Sequence, residues 1–368
     1  MKKILTITCH KVYNHGATIQ QIALLNYLKS LGYDAKTINY KPFYFQSHYN
    51  IWLVSPKYRN NFFLKFLFLI VKLPARINSL KRKKNFDLFE KKHLDMLPQE
   101  YFNNDDLKNN VPIADAYICG SDQIWNAVFD NGKDLAFYLD FVPDNKTKIS
   151  YAPSFATESI LKPHEIFIKN KIARINHISV RETSGLKILE NIGIENAVQV
   201  MDPVFLLPSD YWIANFVKPI NEDFIFIYDF DGNPHIKMMA QELALKHGLK
   251  IYTINESIKY AHKNFAFEAP DVFLSLVSNA KYVLTNSFHA VAFSLIFNKK
   301  FYVFNRSQKI NTRMQDLLQL VQLPEILWNK NKENDINTID FNYNTINKIL
   351  EDKIVFSKQF LTNALKDI

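Results

Sequence analysis

Short apolar segments alternate with segments of helical spacing through most of this 368-residue chain. Such alternation predicts strands joined by helices, the arrangement that builds parallel sheets from β–α–β units. Two series of this kind meet near residues 202–222. The pattern therefore predicts an α/β fold with two Rossmann-like domains that face each other.

The chain length agrees with two domains, since a domain usually spans about 100–200 residues. We expect the first domain to cover residues 1–205 and to carry a basic, aromatic insertion at 43–95. We expect the second domain at 206–340. The segment 341–368 is predicted as a C-terminal helix, for which packing back on the first domain is one option.

Glycine and cysteine are too scarce for several common functional sites. The eight glycines are too dispersed to form the phosphate-binding loops GxGxxG or GxxxxGK[ST]. The two cysteines, Cys9 and Cys119, exclude a disulfide framework and a zinc cluster, and they fit a reducing compartment. The opening segment MKKILTITCH leads directly into polar residues, so it predicts a buried strand rather than a signal peptide. We expect a cytoplasmic protein.

Positive charge is concentrated near the start of the chain. The net charge is +9, and residues 1–100 hold 17 Lys and Arg against 5 Asp and Glu. No acidic residue occurs between Asp34 and Asp87, while the segment 57–84 combines nine cations with many aromatic residues. As a helix, this segment fits an anionic membrane surface. It also fits a core-packed helix followed by a solvated basic turn. Nucleic acid is a weaker option, because no binding motif accompanies the charge.

Polar residues follow several predicted strands, where open α/β sheets bind their ligands. These residues are the segment 120–126, Arg181 and Glu182, the segment 286–289, Arg306 and Arg313. Arginine binds carboxylate and phosphate, and a helix N-terminus suits an anion. Histidine donates protons near neutral pH, and aspartate accepts a proton from a hydroxyl. Each feature alone also fits a helix cap, a turn or a surface ion pair. Together they indicate an anionic small substrate and an alcohol nucleophile.

In this order, the motifs resemble those of the polysaccharide pyruvyl transferase family over roughly residues 3–325. The resemblance is carried by NHGA at 14–17 with Gln20, Ala23 and Leu24, GSDQIWN at 120–126, SYAPSF at 150–155, SVRE at 179–182, MDP at 201–203, TNSFH at 285–289, and the segments 293–294 and 297–299. The chain departs from the family pattern at two positions. His15 stands where Tyr is common, and Ala290 stands where Gly is common.

The resemblance implies a GT-B-like fold with an interdomain cleft, and transfer of pyruvate from phosphoenolpyruvate to a sugar as a cyclic ketal. It implies neither a metal nor a cofactor. His289 is expected to be the acid or a phosphate donor, and Asp122 the base or a ligand of the sugar hydroxyl. The expected substrate-binding residues are Arg181, Ser287, Phe288, Asn14, Gly16, Gln20, Ser121, Arg306 and Arg313.

The acceptor implied by the resemblance is a precursor of a bacterial surface or capsular polysaccharide. A polyprenyl-diphosphate-linked acceptor would give the segment 57–84 a purpose, since it would hold the enzyme on the inner leaflet of the cytoplasmic membrane. We expect no nucleic-acid partner. Two alternatives remain: a nucleotide-sugar glycosyltransferase with the same fold, and a non-catalytic scaffold at the membrane.

Overall fold

The computed structural model of the chain describes residues 1–46, 61–255, 257–306, 312–328 and 339–368. In the first half, five parallel strands form a sheet in the order β3-β2-β1-β4-β5. Its strands are β1 (Lys3–Ile7), β2 (Asp34–Tyr40), β3 (Met96–Tyr101), β4 (Ala116–Cys119) and β5 (Thr147–Ser150). A short parallel pair, β6 (Ser179–Val180) and β7 (Val198–Gln199), follows β5.

A second sheet of five parallel strands occupies the later half, in the order β10-β9-β8-β11-β12. Its strands are β8 (Phe224–Tyr228), β9 (Lys250–Thr253), β10 (Lys263–Asn264), β11 (Tyr282–Thr285) and β12 (Lys300–Val303). Every residue of β8 is buried. A continuous apolar strand of this kind is typical of a parallel sheet covered on both faces.

Helices connect the strands of both sheets. They are α1 (His15–Ser30), α2 (Phe43–Gln46), α3 (Phe62–His93), α4 (Asn104–Asn109), α5 (Lys162–Ile172), α6 (Thr183–Asn191), α7 (Ser209–Phe216), α8 (Pro234–His247), α9 (Pro270–Asn279), α10 (Phe288–Ile296), α11 (Thr312–Leu320) and α12 (Tyr343–Ala364). None of them, within the described ranges, is long and apolar enough to cross a bilayer.

Local sequence explains where α8 begins and ends. The Asn233 side chain accepts a hydrogen bond from the backbone N–H of His235, and Pro234 occupies the first turn, where its missing N–H costs nothing. The helix stops at Gly248, whose φ of 65° lies in the left-handed region that glycine adopts without strain.

The C-terminal helix α12 contacts the first half of the chain. The backbone N–H of Met201 donates to Ser357 Oγ at 2.9 Å, and the Tyr33 hydroxyl donates to the carbonyl of Leu365 at 3.3 Å. The two sheets fall on either side of residue 205, the expected boundary. The domain bounds themselves stay a prediction.

The strand order of each sheet reverses at one point, between β1 and β4 in the first sheet and between β8 and β11 in the second. Ligands of open α/β sheets bind in the crevice that forms at such a reversal. Asn14 and Asp122 follow β1 and β4, while Phe230 and His289 follow β8 and β11. All four residues line one cavity, so the two reversal points meet at the same place.

Candidate functional site

A cavity of about 90 Å³ lies between the carboxyl ends of the two sheets. It is small, since ligand pockets commonly measure roughly 300–1,000 Å³. The predicted site residues on its wall are Asn14, Asp122, Ser287, Phe288, His289, Arg306 and Arg313. The other four predicted residues, Arg181, Gly16, Gln20 and Ser121, lie behind this wall and hold it in place.

His289 lies against the start of α1 because Gly16 has no side chain. A Cβ atom at position 16 would lie 2.0 Å from His289 Nδ1, far inside van der Waals contact. Asn14 fixes this turn, since its side chain accepts hydrogen bonds from the backbone N–H groups of Gly16 and Ala17. The glycine therefore makes room for the imidazole of the opposite half, a role that sequence reasoning about sugar contacts missed.

Asp202 is a buried carboxylate that sequence reasoning did not place in the site. Its Oδ2 lies 3.1 Å from Arg181 Nη1 and 3.5 Å from His289 Nε2. Burial by itself would raise the pKa of Asp202, but the charge of Arg181 and the contact with His289 outweigh it and lower the pKa to about 2. Asp202 therefore stays ionised at neutral pH and links the arginine to the histidine.

Arg181 lies one layer behind the cavity. Its Nη2 donates to Ser121 Oγ at 2.6 Å, and its Nε donates to the carbonyl of Ala152 at 3.4 Å. Its guanidinium carbon lies 5.0 Å from the centre of the Phe288 ring, whose other contacts reach the cavity. In this geometry Arg181 supports the wall and contributes positive charge, while other arginines face the ligand space.

Arg313 and Asp122 contact each other on the wall of the cavity. Arg313 Nη1 lies 3.5 Å from Asp122 Oδ1, and Arg181 Nη2 lies 3.9 Å from the same oxygen. Burial and the charge of Arg181 lower the pKa of Arg313 to about 10, so it remains protonated at neutral pH. Asp122 adopts a φ of 65°, a left-handed conformation that is uncommon outside glycine. The carboxylate thus lies beside two cations.

The second half supplies a further cation and a helix N-terminus. Arg306 lies 4.7 Å from the Phe230 ring centre, and its Nη2 lies 3.6 Å from Asp231 Oδ1. Ser287 precedes the first turn of α10, and its side chain makes no capping hydrogen bond to the helix. Exposed N–H groups at a helix N-terminus favour an anion.

Gln20 and Ser121 are structural in this arrangement. The Gln20 side chain is fully buried, donates to Thr8 Oγ1 at 3.2 Å, and accepts from the backbone N–H of Ser121 at 3.1 Å. It therefore ties α1 to the loop after β4 and does not reach the cavity. Contact of Gln20 with a sugar stays a prediction without a geometric basis here.

Comparison with known families identifies the chain. The model of the family described as polysaccharide pyruvyl transferase matches residues 14–308. The chain belongs to the polysaccharide pyruvyl transferase family. No curated protein sequence matches it. The matched range contains every wall residue of the cavity named above except Arg313.

Solved structures show the architecture of this polysaccharide pyruvyl transferase family member. UGT89C1 from Arabidopsis thaliana, complexed with UDP-L-rhamnose, is 10% identical with a TM-score of 0.51, and the match covers 98% of each chain. MnaA from S. aureus, solved with UDP, is 14% identical with a TM-score of 0.50, and the match covers 98% of this chain and 91% of that chain. Likeness at these identities concerns the fold alone. The family member has two Rossmann-like domains in a GT-B arrangement, as the sequence predicted.

His15, where the family pattern commonly has Tyr, is buried at the contact between the two halves. Its Nδ1 lies 3.0 Å from the Tyr228 hydroxyl, and its Nε2 lies 3.1 Å from the carbonyl of Glu268. Burial, and then the charge of Arg82, lower the pKa of His15 well below its usual value. His15 is therefore neutral and joins the halves.

Among the described residues, no group of three or more His, Cys, Asp and Glu side chains is placed to hold a metal ion.

Proposed function

We propose that this family member transfers pyruvate from phosphoenolpyruvate to a sugar in a bacterial surface or capsular polysaccharide precursor. The observation that carries the proposal is the cavity where His289, Asp122, Arg306 and Arg313 meet, in a chain that the family model matches over residues 14–308. Phosphoenolpyruvate carries a carboxylate and a phosphate, and arginine binds both groups through paired hydrogen bonds.

We assign the direct anion contacts to Arg306, Arg313 and the N-terminus of α10, because these groups line the cavity. Arg181 lies behind Phe288 and adds to the positive field without facing the ligand space. This assignment revises the expectation that Arg181 holds the phosphate or carboxylate itself.

The reaction needs an acid, a base and stabilisation of the leaving phosphate. In the proposal His289 protonates the methylene carbon of phosphoenolpyruvate, which develops positive charge at carbon 2. A sugar hydroxyl attacks carbon 2 as Asp122 accepts its proton, and a C–O bond forms. The bond to phosphate breaks, and a second hydroxyl closes the ketal. One of the two hydroxyl protons restores the proton that His289 gave to the methylene carbon, and the other leaves with phosphate. The proposal invokes no metal and no cofactor.

The acceptor sugar enters beside Asn14 and Asp122, which form the first-domain wall of the cavity. We include in the proposal that the acceptor is attached to a polyprenyl diphosphate, and that the enzyme acts at the inner face of the cytoplasmic membrane. The support is indirect: the family name refers to polysaccharides, and precursors of surface glycans are commonly built on such carriers.

The test is incubation of the full chain with phosphoenolpyruvate and a panel of glycans. We expect phosphate release that depends on the glycan, together with a mass gain of one pyruvate less one water on the acceptor. His289→Ala and Asp122→Asn serve as inactive controls, provided that their melting temperatures match the parent protein. A melting temperature that rises with a UDP-sugar and ignores phosphoenolpyruvate would favour the glycosyltransferase alternative instead.

A further inference from the structure

We propose that the first half of α3, residues 62–77, is an interfacial anchor that binds a bilayer containing anionic lipid. We call this segment the α3 anchor. Its purpose rests on the proposed function, because a carrier-linked acceptor lies in the membrane. The binding itself follows from the exposed surface of the helix and is testable without any chemistry.

Large apolar side chains of the α3 anchor are exposed to solvent. Phe62 is 85% exposed, Phe63 71% and Phe66 57%. At about 100° per residue, five exposed apolar residues fall within roughly 80° of one side of the helix. These residues are Phe62, Phe66, Ile70, Leu73 and Ile77. Monomeric soluble proteins rarely leave such contiguous apolar surface uncovered, so the stripe marks an interaction face.

A second stripe of cations lies beside the apolar one. At the same 100° per residue, Lys65, Lys72 and Arg76 fall within roughly 40° of one another around the helix axis. All three precede Asp87, the first acidic residue of the helix. Arg76 also lies over the Phe68 ring, at 5.6 Å. An apolar face with cations along its edge matches the acyl region and the anionic headgroups of a leaflet.

The second half of α3 is fixed to the body of the protein. Phe86 and Phe89 are buried, and Lys11 Nζ lies 2.6 Å from Asp87 Oδ1 and 2.7 Å from Glu90 Oε2. Because α3 is continuous through residue 93, a surface that holds its first half also sets the position of the rest of the molecule.

The contacts of Arg82 shorten the part of residues 57–84 that we expect to bind a membrane. Its Nε donates to the carbonyl of Tyr13 at 2.9 Å, and its Nη1 donates to the carbonyl of Ala266 at 3.2 Å. This arginine therefore joins α3 to both halves of the protein, beside the cavity residue Asn14, and does not serve lipid. Lys57 and Arg59 lie outside the described residues. The anchor is accordingly 62–77 and not the whole segment.

Other occupants fit the stripe less well. A second copy of the helix would bring cations against cations, because the stripe carries no acidic residue. Nucleic acid would match the charge but not the aliphatic and aromatic face, since its contacts are chiefly to phosphate. An anionic bilayer matches both parts.

The experiment is co-sedimentation of the full chain with vesicles of phosphatidylcholine, with and without phosphatidylglycerol, at low and moderate salt. We expect tight binding only to the anionic vesicles, and weaker binding as salt rises. Changing three anchor residues, Phe62→Ser, Phe63→Ser and Phe66→Ser together, should reduce partitioning at least about tenfold, since each buried Phe contributes more than a factor of ten when fully removed from water. The matched control changes three exposed apolar residues elsewhere, Leu161→Ser, Ile166→Ser and Leu245→Ser, and should bind as the parent does.

Charge is tested separately. Lys65→Gln with Lys72→Gln should lower binding to anionic vesicles by up to roughly thirtyfold at low salt, about fivefold per cation. The control pair, Lys162→Gln with Lys187→Gln, removes the same charge from exposed positions outside α3 and should have a much smaller effect.

Binding that ignores lipid charge, or anchor variants that bind as the controls do, would overturn the proposal. The proposal would also be overturned if the parent protein were a dimer in sedimentation velocity and the anchor variants were monomers with unchanged vesicle binding. The apolar stripe would then be a contact between two copies of the chain. Pyruvyl transfer to a short soluble acceptor should be unchanged in the anchor variants. Vesicle binding without any pyruvyl transfer would refute the proposed function and leave the anchor intact, while transfer without binding would do the reverse.

Discussion

Replacing Asp202 with asparagine tests the buried link between Arg181 and His289. Asp202→Asn keeps the shape of the side chain and removes its charge, so the buried guanidinium of Arg181 loses the carboxylate that lies nearest to it, at 3.1 Å. The pKa of Asp202 is about 2 against an ordinary value of 3.8. At about 1.4 kcal/mol per pKa unit, this difference corresponds to ~2 kcal/mol of folding free energy at neutral pH. Breaking a buried ion pair typically costs about 3–5 kcal/mol. We therefore expect a loss between ~2 and ~5 kcal/mol.

The sign of the pH dependence follows from the lowered pKa. A carboxyl whose pKa is lower in the folded state stabilises the fold fully above its unfolded pKa and stops doing so as pH falls through the folded pKa. The stability gap between parent and Asp202→Asn should thus be constant from pH 7 to about pH 5. It should shrink between about pH 4 and pH 2, where the parent carboxyl takes up a proton.

Urea unfolding at a series of pH values measures this gap, with Glu222→Gln as the matched control. Glu222 also pairs with two cations, but Lys250 and Lys263 are each about half exposed, so the loss of this carboxylate should matter much less. Equal free energies of unfolding for parent and Asp202→Asn at pH 7 would refute the reasoning. A gap that does not change with pH would show that the lost stability has another origin.

Two further predictions concern the cavity. Gly16→Ala should lower phosphoenolpyruvate-dependent phosphate release by about 100-fold, because the added Cβ forces the His289 ring to move and a misplacement near 1 Å costs about that factor. The control is Gly32→Ala. Gly32 has a positive φ but no neighbour within 4 Å, so this variant should lose stability and keep activity. Arg313→Gln should weaken phosphoenolpyruvate binding by at least ~1.5 kcal/mol in calorimetry, whereas His289→Gln should lower turnover more than binding. Equal losses of binding in both variants, without a separate turnover defect, would make His289 an anion ligand only.

Local sequence was sufficient for much of the fold. Helix α8 is an example, because its start at Asn233 and Pro234 and its end at Gly248 are marked by residues of the segment itself. The strand β3 carries no such local signal. Its sequence, MLPQEY, has exposed residues and a proline, both of which an edge strand tolerates and a buried strand does not. Its position at the sheet edge is a property of the assembled fold.

The site was predictable residue by residue but not in its layers. Asp122, His289 and Arg313 were found because each follows a predicted strand. The sequence also contained the signal for Asp202, which follows β7 in the MDP segment, but nothing local indicates that it pairs with Arg181 and His289. The same limit applies to Gly16, because the side chain that requires a glycine there, His289, lies 273 positions later in the chain. Such contacts depend on how the two sheets face each other.

The small cavity has a consequence for side reactions. A cavity of about 90 Å³ leaves room for only a small number of waters. In the proposed reaction, the positive carbon 2 reacts with the nearest oxygen nucleophile, and attack by water would convert the donor to free pyruvate and phosphate. An acceptor with two hydroxyls displaces these few waters when it binds, so hydrolysis of the donor no longer competes with transfer once the sugar is in place.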